Sequence, residues 1–262
     1  KGECVSKFNI NFFKGDYMLR ENKILFNLYQ MYKLFIFYPL LGVSTVTLGF
    51  ISIFLALLAG QKTASIPGVI WARFNSFVTP MFVKVRGAEN IDNTQSYVIV
   101  ANHQSQYDIF AVYGWLPVDF KWVMKMELRG VPVLGYSCYR IGHVFIDRSN
   151  PEIAIRQIKD ARNRIKGGTS IVFFPEGHRN SGGKLLPFKK GAFNFAIEAG
   201  FPILPVTIKG TGKILPSNST ALFPGRAELV IHKPIPVDGY NRDNIQELMD
   251  ESKRIIEEEL DL

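Results

Sequence analysis

The feature that most constrains the fold is a long uncharged segment in the first quarter of the chain. No charged residue occurs between Lys33 and Lys62, and the stretch from Leu34 to Gly60 is predominantly apolar. As a helix rising about 1.5 Å per residue, this stretch is long enough to cross a hydrocarbon core of about 30 Å. Its length and the absence of a clear cleavage site after it are untypical of a secretory signal. We therefore expect a retained, membrane-associated helix.

Two arrangements of this segment fit the pattern. Pro39, Gly42 and Gly49 interrupt the run. From Ile66 to Val83 an apolar stripe with helical spacing follows, opposite Asn75, Ser76 and Thr79, and it consists of Ile66, Ile70, Phe74, Phe77, Val78 and Met81. The pattern predicts either a single span from roughly Leu40 to Ala59 or a two-helix hairpin lying in one leaflet. A buried core helix is disfavoured because uncharged runs this long are rare in small domains.

Composition narrows the class of protein further. Hydrophobic residues make up 47% of the 262 residues, slightly high for a soluble domain but low for a polytopic membrane protein. The formal net charge of +8 favours anionic partners such as lipid headgroups, nucleotides or nucleic acid. Cys4 and Cys138 are far apart, and their spacing indicates neither a disulfide framework nor a zinc site.

After Arg86 the sequence pattern changes to short apolar runs that alternate with amphipathic stretches. The strand-like runs are Tyr97 to Ala101, Lys121 to Met124, Gly142 to Ile146, Ser170 to Phe174, Ile203 to Ile208 and Ala227 to His232. Helices are expected from Pro151 to Gly167, from about Lys190 to Ala199, and from Arg242 to Leu260. We expect an α/β domain over residues 85–262, with a mixed central sheet flanked by helices. An N-terminal tail and membrane-associated helices would occupy residues 1–84.

His103 and Asp108 follow a strand-like run, at a point where a buried strand passes into a polar loop or helix. A neutral imidazole can accept a proton from an attacking alcohol, and a carboxylate on its other nitrogen fixes the tautomer. On an ideal helix a spacing of five residues means about 140° of rotation, so pairing requires a turn or a distorted first helical turn. A structural hydrogen bond is the alternative interpretation.

Basic side chains follow two further strand-like runs. In Phe174 to Arg179, Arg179 is suited to bidentate phosphate contact and Gly177 to close backbone approach, while Glu176 could orient the arginine or contact a substrate hydroxyl. In Gly142 to Arg148, Arg148 is a second phosphate candidate. A surface ion pair or a helix cap is the alternative at each position.

Four blocks, taken in order, resemble those of the glycerophospholipid acyltransferases, a family that includes lysophosphatidic acid acyltransferase. Asn102 to Asp108 is similar to the NHxxxxD block, Gly142 to Arg148 to GxxFIDR, Phe174 to Arg179 to FPEGTR, and Ile203 to Val206 to the proline-containing fourth block. The resemblance spans roughly residues 85 to 235. His178 departs from it, since the family usually has threonine there, which affects local hydrogen bonding in the third block.

The resemblance implies a role for each matching residue. His103 would be the general base and Asp108 its partner. Glycerol-phosphate binding would involve Lys125, Arg148, Glu176, Gly177 and Arg179. The implied reaction transfers a fatty acyl group from acyl-CoA or acyl-carrier protein to the sn-2 hydroxyl of 1-acyl-sn-glycerol-3-phosphate, forming phosphatidic acid without a metal or organic cofactor.

The expected partners are lysophosphatidic acid, the thioester donor and the lipid bilayer, with no nucleic acid. The catalytic domain is expected to face the cytosol, with a bacterial cytoplasmic membrane favoured over the endoplasmic reticulum. One alternative is an acyltransferase for glycerol-3-phosphate or another lysolipid. The other is a noncatalytic lipid-binding scaffold, which the intact pair of His103 and Asp108 disfavours.

Overall fold

A seven-stranded sheet forms the centre of the computed structural model, which describes residues 19, 21–147, 149, 151–162, 165, 167–180 and 184–261. The strands are β1 (Met81–Arg86), β2 (Val98–Ala101), β3 (Phe120–Lys125), β4 (Val144–Ile146), β5 (Ser170–Phe173), β6 (Ile203–Lys209) and β7 (Gly225–Ile231). Their order across the sheet is β1-β7-β6-β2-β5-β3-β4. All neighbours are parallel except β6 and β7. The sheet is therefore mixed, which confirms the predicted fold class.

The strand directions decide which chain segments meet at one edge. The carboxyl ends of β2 to β6 lie at the same edge as the amino ends of β7 and β1, because β7 runs antiparallel to β6 and β1 runs parallel to β7. In open α/β sheets, ligands bind outside the carboxyl ends of the parallel strands. We call this the catalytic edge of the sheet.

Helices cover both faces of the sheet. They are α1 (Lys23–Tyr32), α2 (Tyr38–Leu58), α3 (Gly60–Ala64), α4 (Ile66–Val78), α5 (Tyr107–Trp115), α6 (Leu134–Ile141), α7 (Pro151–Arg162), α8 (Gly191–Ala199), α9 (Thr211–Ile214) and α10 (Ile245–Asp261). Successive residues of β2 face opposite cores: Ile99 packs with α4 and α5, whereas Val100 packs with α7, α8 and α10. This two-residue alternation gives a three-layer domain.

The uncharged segment lies in one continuous helix, Lys23–Leu58, which comprises α1, a π-helical turn (Lys33–Phe37) and α2. By length and composition, it alone among the described helices could cross a membrane. Its first half is bonded to the end of α4, since the hydroxyls of Tyr29 and Tyr32 donate to the carbonyls of Thr79 and Val78, both at 2.9 Å, and to the sheet domain, since the Gln30 amide donates to the Leu222 carbonyl at 2.8 Å. Along α2, a Cβ added to Gly49 would lie 2.7 Å from Val133 Cγ1. The helix thus packs lengthwise on the domain.

The next long helix, α4, presents an apolar face outward and a polar face inward. Ile66, Ile70, Phe74 and Phe77 are exposed, whereas Asn75, Ser76 and Thr79 at its inner face and end are fully buried. The buried groups are satisfied: Asn75 donates to the Trp71 carbonyl at 2.8 Å, and Thr79 to the Asn75 carbonyl at 2.9 Å. This arrangement reverses the usual amphipathicity of a surface helix.

Two predicted element boundaries were wrong. The helical stripe was extended to Val83, but α4 ends at Val78 ahead of Pro80, and Met81–Arg86 forms β1, which crosses the predicted domain boundary at residue 84. Proline disfavours helical geometry in the residue before it, and parallel pairing with β7 selects the strand. The strand predicted from Gly142 begins at Val144, because Gly142 adopts a φ of 97° as the cap of α6.

Candidate active site

The loop between β2 and α5 carries the first motif at the catalytic edge. β2 ends at Ala101, and Asn102 connects it to β6: its side chain donates to the Ile208 carbonyl at 2.9 Å and accepts from the Ile208 N–H at 2.7 Å. Asn102 is fully buried, so this paired contact fixes where the loop begins. The loop then turns and enters α5 at Tyr107.

His103 and Asp108 are hydrogen-bonded to each other. Nδ1 of His103 lies 2.8 Å from Oδ2 of Asp108. The same oxygen accepts the backbone N–H groups of Gln104 at 2.7 Å and Ser105 at 2.9 Å. The tight loop therefore removes the angular mismatch of an ideal helix, because Asp108 in the first turn of α5 reaches back to cap the loop preceding it. The predicted need for a turn is confirmed.

The exposure of this pair is asymmetric. The Asp108 side chain is fully buried, whereas the His103 side chain is 16% exposed. With Nδ1–H donating to the carboxylate, Nε2 carries the lone pair and is available to accept a proton. The buried carboxylate would stabilise the imidazolium that forms. This arrangement suits general-base catalysis on an alcohol and needs no nucleophilic side chain.

The loop after β5 holds His103 from a second direction. The ring of Phe174 stacks on the imidazole with centroids 4.0 Å apart and an interplanar angle of 9°. Glu176 accepts the His103 N–H at Oε1 at 2.8 Å and the Leu186 N–H at Oε2 at 2.9 Å. The Asn180 N–H donates to the His103 carbonyl at 2.8 Å. His103 is thus fixed at its ring, its N–H and its carbonyl.

Glu176 is a buried carboxylate with both oxygens engaged by backbone donors. Burial raises the pKa of Glu176, while the N–H groups of Leu186 and His103 oppose that rise. Its contacts join the third motif to the first and to the segment before α8. They indicate a positioning role for Glu176.

Among the described residues, the other predicted phosphate ligands lie on one flank of His103. Lys125 is exposed at the carboxyl end of β3, and Arg179 is exposed in the loop after β5. Gly177 has a φ of 76°, in the left-handed region that favours glycine, and an added Cβ would lie 2.8 Å from Lys189 Nζ. Arg148 lies outside the described residues. Among the described residues, those of the first and third motifs lie together at the catalytic edge.

Sequence reasoning missed the residue that supports the far side of Asp108. The Thr211 hydroxyl donates to Oδ1 of Asp108, and both residues are fully buried. Thr211 begins α9 in the turn Gly210-Thr211-Gly212, directly after β6. A glycine-flanked threonine following a predicted strand was the available signal, since that strand ends at the catalytic edge.

A second histidine near the sheet has a structural environment. His143 is buried: Nδ1 accepts the Trp122 N–H, and Nε2 faces the Tyr113 hydroxyl, both at 3.3 Å. Burial, with the nearby charge of Lys121, lowers the pKa of His143 to about 3. It therefore remains neutral at physiological pH and packs between β3 and α5.

Within the described residues, no cluster of three or more His, Cys, Asp or Glu side chains is arranged to hold a metal.

Comparisons with known proteins agree with this geometry. A family model described as Acyltransferase matches residues 82–209. A chloroplastic 1-acyl-sn-glycerol-3-phosphate acyltransferase of Brassica napus is 36% identical over 169 residues, covering 63% of this chain and 48% of the relative. The human 1-acyl-sn-glycerol-3-phosphate acyltransferase alpha is 32% identical over 169 residues, covering 64% of this chain and 60% of the relative. The chain thus spans roughly half the length of these relatives.

The structure is similar to the crystal structure of PlsC, the 1-acyl-sn-glycerophosphate acyltransferase from Thermotoga maritima. The TM-score is 0.76 at 28% sequence identity, and the match covers 93% of this chain and 97% of the other. The likeness extends to most of the N-terminal helices as well as the sheet domain, because so little of either chain is left unmatched. The ordered motifs and the fold agree with the match between residues 82–209 of this chain and the Acyltransferase family model, the region in which the four sequence blocks lie.

Proposed function

We propose that this chain transfers a fatty acyl group from a thioester donor, acyl-CoA or acyl-carrier protein, to the sn-2 hydroxyl of 1-acyl-sn-glycerol-3-phosphate. The observation that carries the proposal is the hydrogen-bonded pair of His103 and Asp108 within an acyltransferase-family domain. The sequence relatives are named for this acceptor, which supports the choice among alcohols. The products are phosphatidic acid and the free thiol carrier.

His103 acts as general base in this mechanism. Nε2 accepts the proton of the sn-2 hydroxyl as the oxygen attacks the thioester carbonyl, and the buried Asp108 stabilises the imidazolium. The tetrahedral intermediate collapses with loss of the thiolate, which takes the proton from His103. One ester bond forms and one thioester bond breaks, so the reaction needs no metal or organic cofactor.

Lys125, Arg148 and Arg179 bind the acceptor phosphate in this proposal, with the backbone at Gly177 allowing close approach. Lys125 ends β3 and Arg179 lies in the loop after β5, both on one flank of β2. A cationic fork suits bidentate phosphate binding. Glu176 serves to position His103, because its oxygens already accept two N–H groups and a carboxylate would repel phosphate. Holding the phosphate places the hydroxyl beside Nε2 and lowers the entropic barrier.

Acyl transfer with a panel of acceptors tests the function and the role of Arg179 together. Thiol release from palmitoyl-CoA and palmitoyl-acyl-carrier protein would be measured with lysophosphatidic acid, glycerol-3-phosphate and lysophosphatidylcholine. We expect the highest kcat/KM with lysophosphatidic acid. Arg179→Ala should raise its KM by about 10- to 100-fold, since a hydrogen bond to a charged group contributes about 1.5–3 kcal/mol.

Arg254→Ala is the matched control, because Arg254 is an exposed arginine of α10 outside the catalytic edge. Its KM for lysophosphatidic acid should equal that of the wild type. A preference for glycerol-3-phosphate would reject the proposed acceptor. An unchanged KM in Arg179→Ala would reject the phosphate-binding role while leaving the acceptor assignment intact.

We also propose that the N-terminal helices bind one leaflet of the membrane. Exposed apolar side chains of α2, including Phe50, Phe54 and Leu57, accompany the exposed apolar face of α4. Gly49, in the middle of α2, packs against Val133 of the catalytic domain. A helix that contacts a water-exposed domain at its midpoint is poorly placed to span the bilayer. Such an anchor would hold the site where the lipid acceptor meets the donor, on the cytosolic face and in our proposal at a bacterial cytoplasmic membrane.

Labelling from each side of sealed membrane vesicles tests this arrangement. In a Cys4→Ser/Cys138→Ser background, Glu21→Cys places a thiol just before α1, and Lys233→Cys places a reference thiol after β7. A one-leaflet hairpin predicts that an impermeant maleimide labels both thiols from the same side. Labelling of the two thiols from opposite sides would instead show that the helix crosses the bilayer.

A further inference from the structure

We propose that a basic groove at the β1–β7 end of the catalytic edge binds the phosphorylated adenosine of acyl-CoA. The groove is a cavity of ≈ 730 Å³ between Gln104 and Asn180 on one side and the first residues of β1 and β7 on the other. This inference rests on the proposed function and goes beyond it, because it assigns a site to the donor and makes CoA the preferred carrier.

The groove is lined mainly by basic charge. Its charged side chains are Lys84, Lys209, Lys213, Arg226 and Glu228. Lys84 is 72% exposed on its side chain and lies 3.4 Å from Glu228. Lys209 donates to the carbonyl of Glu259 at 2.6 Å and to its carboxylate at 3.2 Å. Four cations against Glu228 and the Glu259 carboxylate that pairs with Lys209 leave the groove with a net positive charge, which attracts a polyanion even where individual side chains have partners.

The groove is continuous with the catalytic machinery. Gln104, which lines it, follows His103 and donates its N–H to Asp108. Asn180, which also lines it, donates its N–H to the His103 carbonyl. The floor includes the turn at Gly210, where a φ of 85° and a 2.2 Å approach of any Cβ to the Arg226 carbonyl require glycine. A ligand in the groove therefore begins beside His103 and extends toward β1.

The order of strands separates this groove from the proposed acceptor site. Among the described acceptor cations, Lys125 ends β3 and Arg179 follows β5, whereas the groove lies on the β6-β7-β1 side of β2. A reaction between two anionic substrates requires two cationic sites with the reacting atoms between them. His103, which follows β2, occupies that middle position.

The dimensions favour acyl-CoA over a protein carrier. With strands about 4.8 Å apart, β7 and β1 lie roughly 10 and 14 Å from β2. The pantetheine arm of CoA separates the thioester from the diphosphate over a long flexible chain and can span that interval. A cavity of ≈ 730 Å³ has the size of a small-molecule site. A folded carrier protein would instead dock on an outer surface, leaving the groove to its prosthetic arm.

Charge-neutralising substitutions test the groove directly. The triple variant Lys84→Gln/Lys213→Gln/Arg226→Gln removes three positive charges with little change in side-chain length. The control Lys233→Gln/Arg242→Gln/Arg254→Gln removes the same charge from exposed positions outside the groove. Each would be assayed with palmitoyl-CoA, palmitoyl-acyl-carrier protein and palmitoyl-pantetheine, which lacks all phosphate groups. Thermal unfolding of both variants in detergent checks that the fold is retained.

We expect the groove variant to raise the KM for palmitoyl-CoA by about 10-fold or more, equivalent to about 1.4 kcal/mol or more. Its KM values for palmitoyl-pantetheine and lysophosphatidic acid should match the wild type, and the control variant should change none of them. An equal rise for palmitoyl-CoA and palmitoyl-pantetheine, or no rise for palmitoyl-CoA, would overturn the inference. A rise confined to palmitoyl-acyl-carrier protein would also overturn it and identify a protein-docking surface.

Two further measurements distinguish this inference from the proposed acyl transfer and from membrane binding by the same charges. Equilibrium dialysis with CoA itself needs no turnover: the wild type should bind CoA, and the groove variant about 10-fold more weakly, even if the proposed acyl transfer proves incorrect. No detectable CoA binding by the wild type would reject the groove assignment. Weaker binding of the groove variant to phosphatidylglycerol vesicles, with unchanged CoA affinity, would assign the charges to the membrane and reject the donor site.

Discussion

Replacement of His103 by alanine is expected to lower kcat by about 10²- to 10⁴-fold, the usual contribution of a general base. Nδ1 of His103 is bonded to Asp108 at 2.8 Å, so Nε2 is the ring nitrogen that can accept the proton of the hydroxyl. Without it the hydroxyl must attack while still protonated. The KM for lysophosphatidic acid should change little, because the phosphate contacts are on other loops.

The fold should survive this substitution. The contacts of His103 with Glu176 and Asn180 use its backbone N–H and carbonyl, which alanine retains. His178→Ala is the matched control, because His178 is an exposed histidine in the neighbouring loop. Purified variants would be compared by thiol release and by thermal unfolding. Near-normal turnover in His103→Ala would eliminate the mechanism, as would an equal loss in His178→Ala.

Replacement of Asp108 is expected to separate its catalytic and structural contributions. Asp108→Asn keeps the shape, and its amide oxygen can still accept from His103, Gln104 and Ser105 while the amide nitrogen faces the Thr211 hydroxyl. It removes the negative charge that stabilises the imidazolium. We therefore expect kcat to fall by about 10²- to 10⁴-fold with only a small change in stability.

Asp108→Ala should lose both activity and stability. It leaves the N–H groups of Gln104 and Ser105 without their acceptor, and the Ser105 group is buried. Unsatisfied buried donors should lower the free energy of unfolding by about 2–4 kcal/mol. Denaturant unfolding and thiol release would be measured on both variants. The interpretation fails if Asp108→Asn turns over at the wild-type rate or if Asp108→Ala is as stable as Asp108→Asn.

The local pattern of apolar and polar residues was sufficient to predict much of the fold. The runs that became β2, β5 and β6 are short, apolar and bounded by polar or glycine residues, so they were predicted close to their observed positions. β1 was missed because Met81 also satisfies the helical stripe that begins at Ile66, and pairing with β7 decided between the two periods. That pairing joins residues about 140 positions apart.

The sequence by itself determined the chemistry that is available. The uncharged run and the alternation of apolar segments predicted an α/β domain with an apolar N-terminal helix, because local side-chain periodicity reflects local burial. The ordered motifs added the resemblance to the acyltransferases. The tertiary structure alone decided that Thr211 and Glu176 brace the pair of His103 and Asp108. It also decided that cations from β1, β6, β7 and the turn at α9 share one groove. Those contacts follow from strand order, which brings together residues that no local spacing relates.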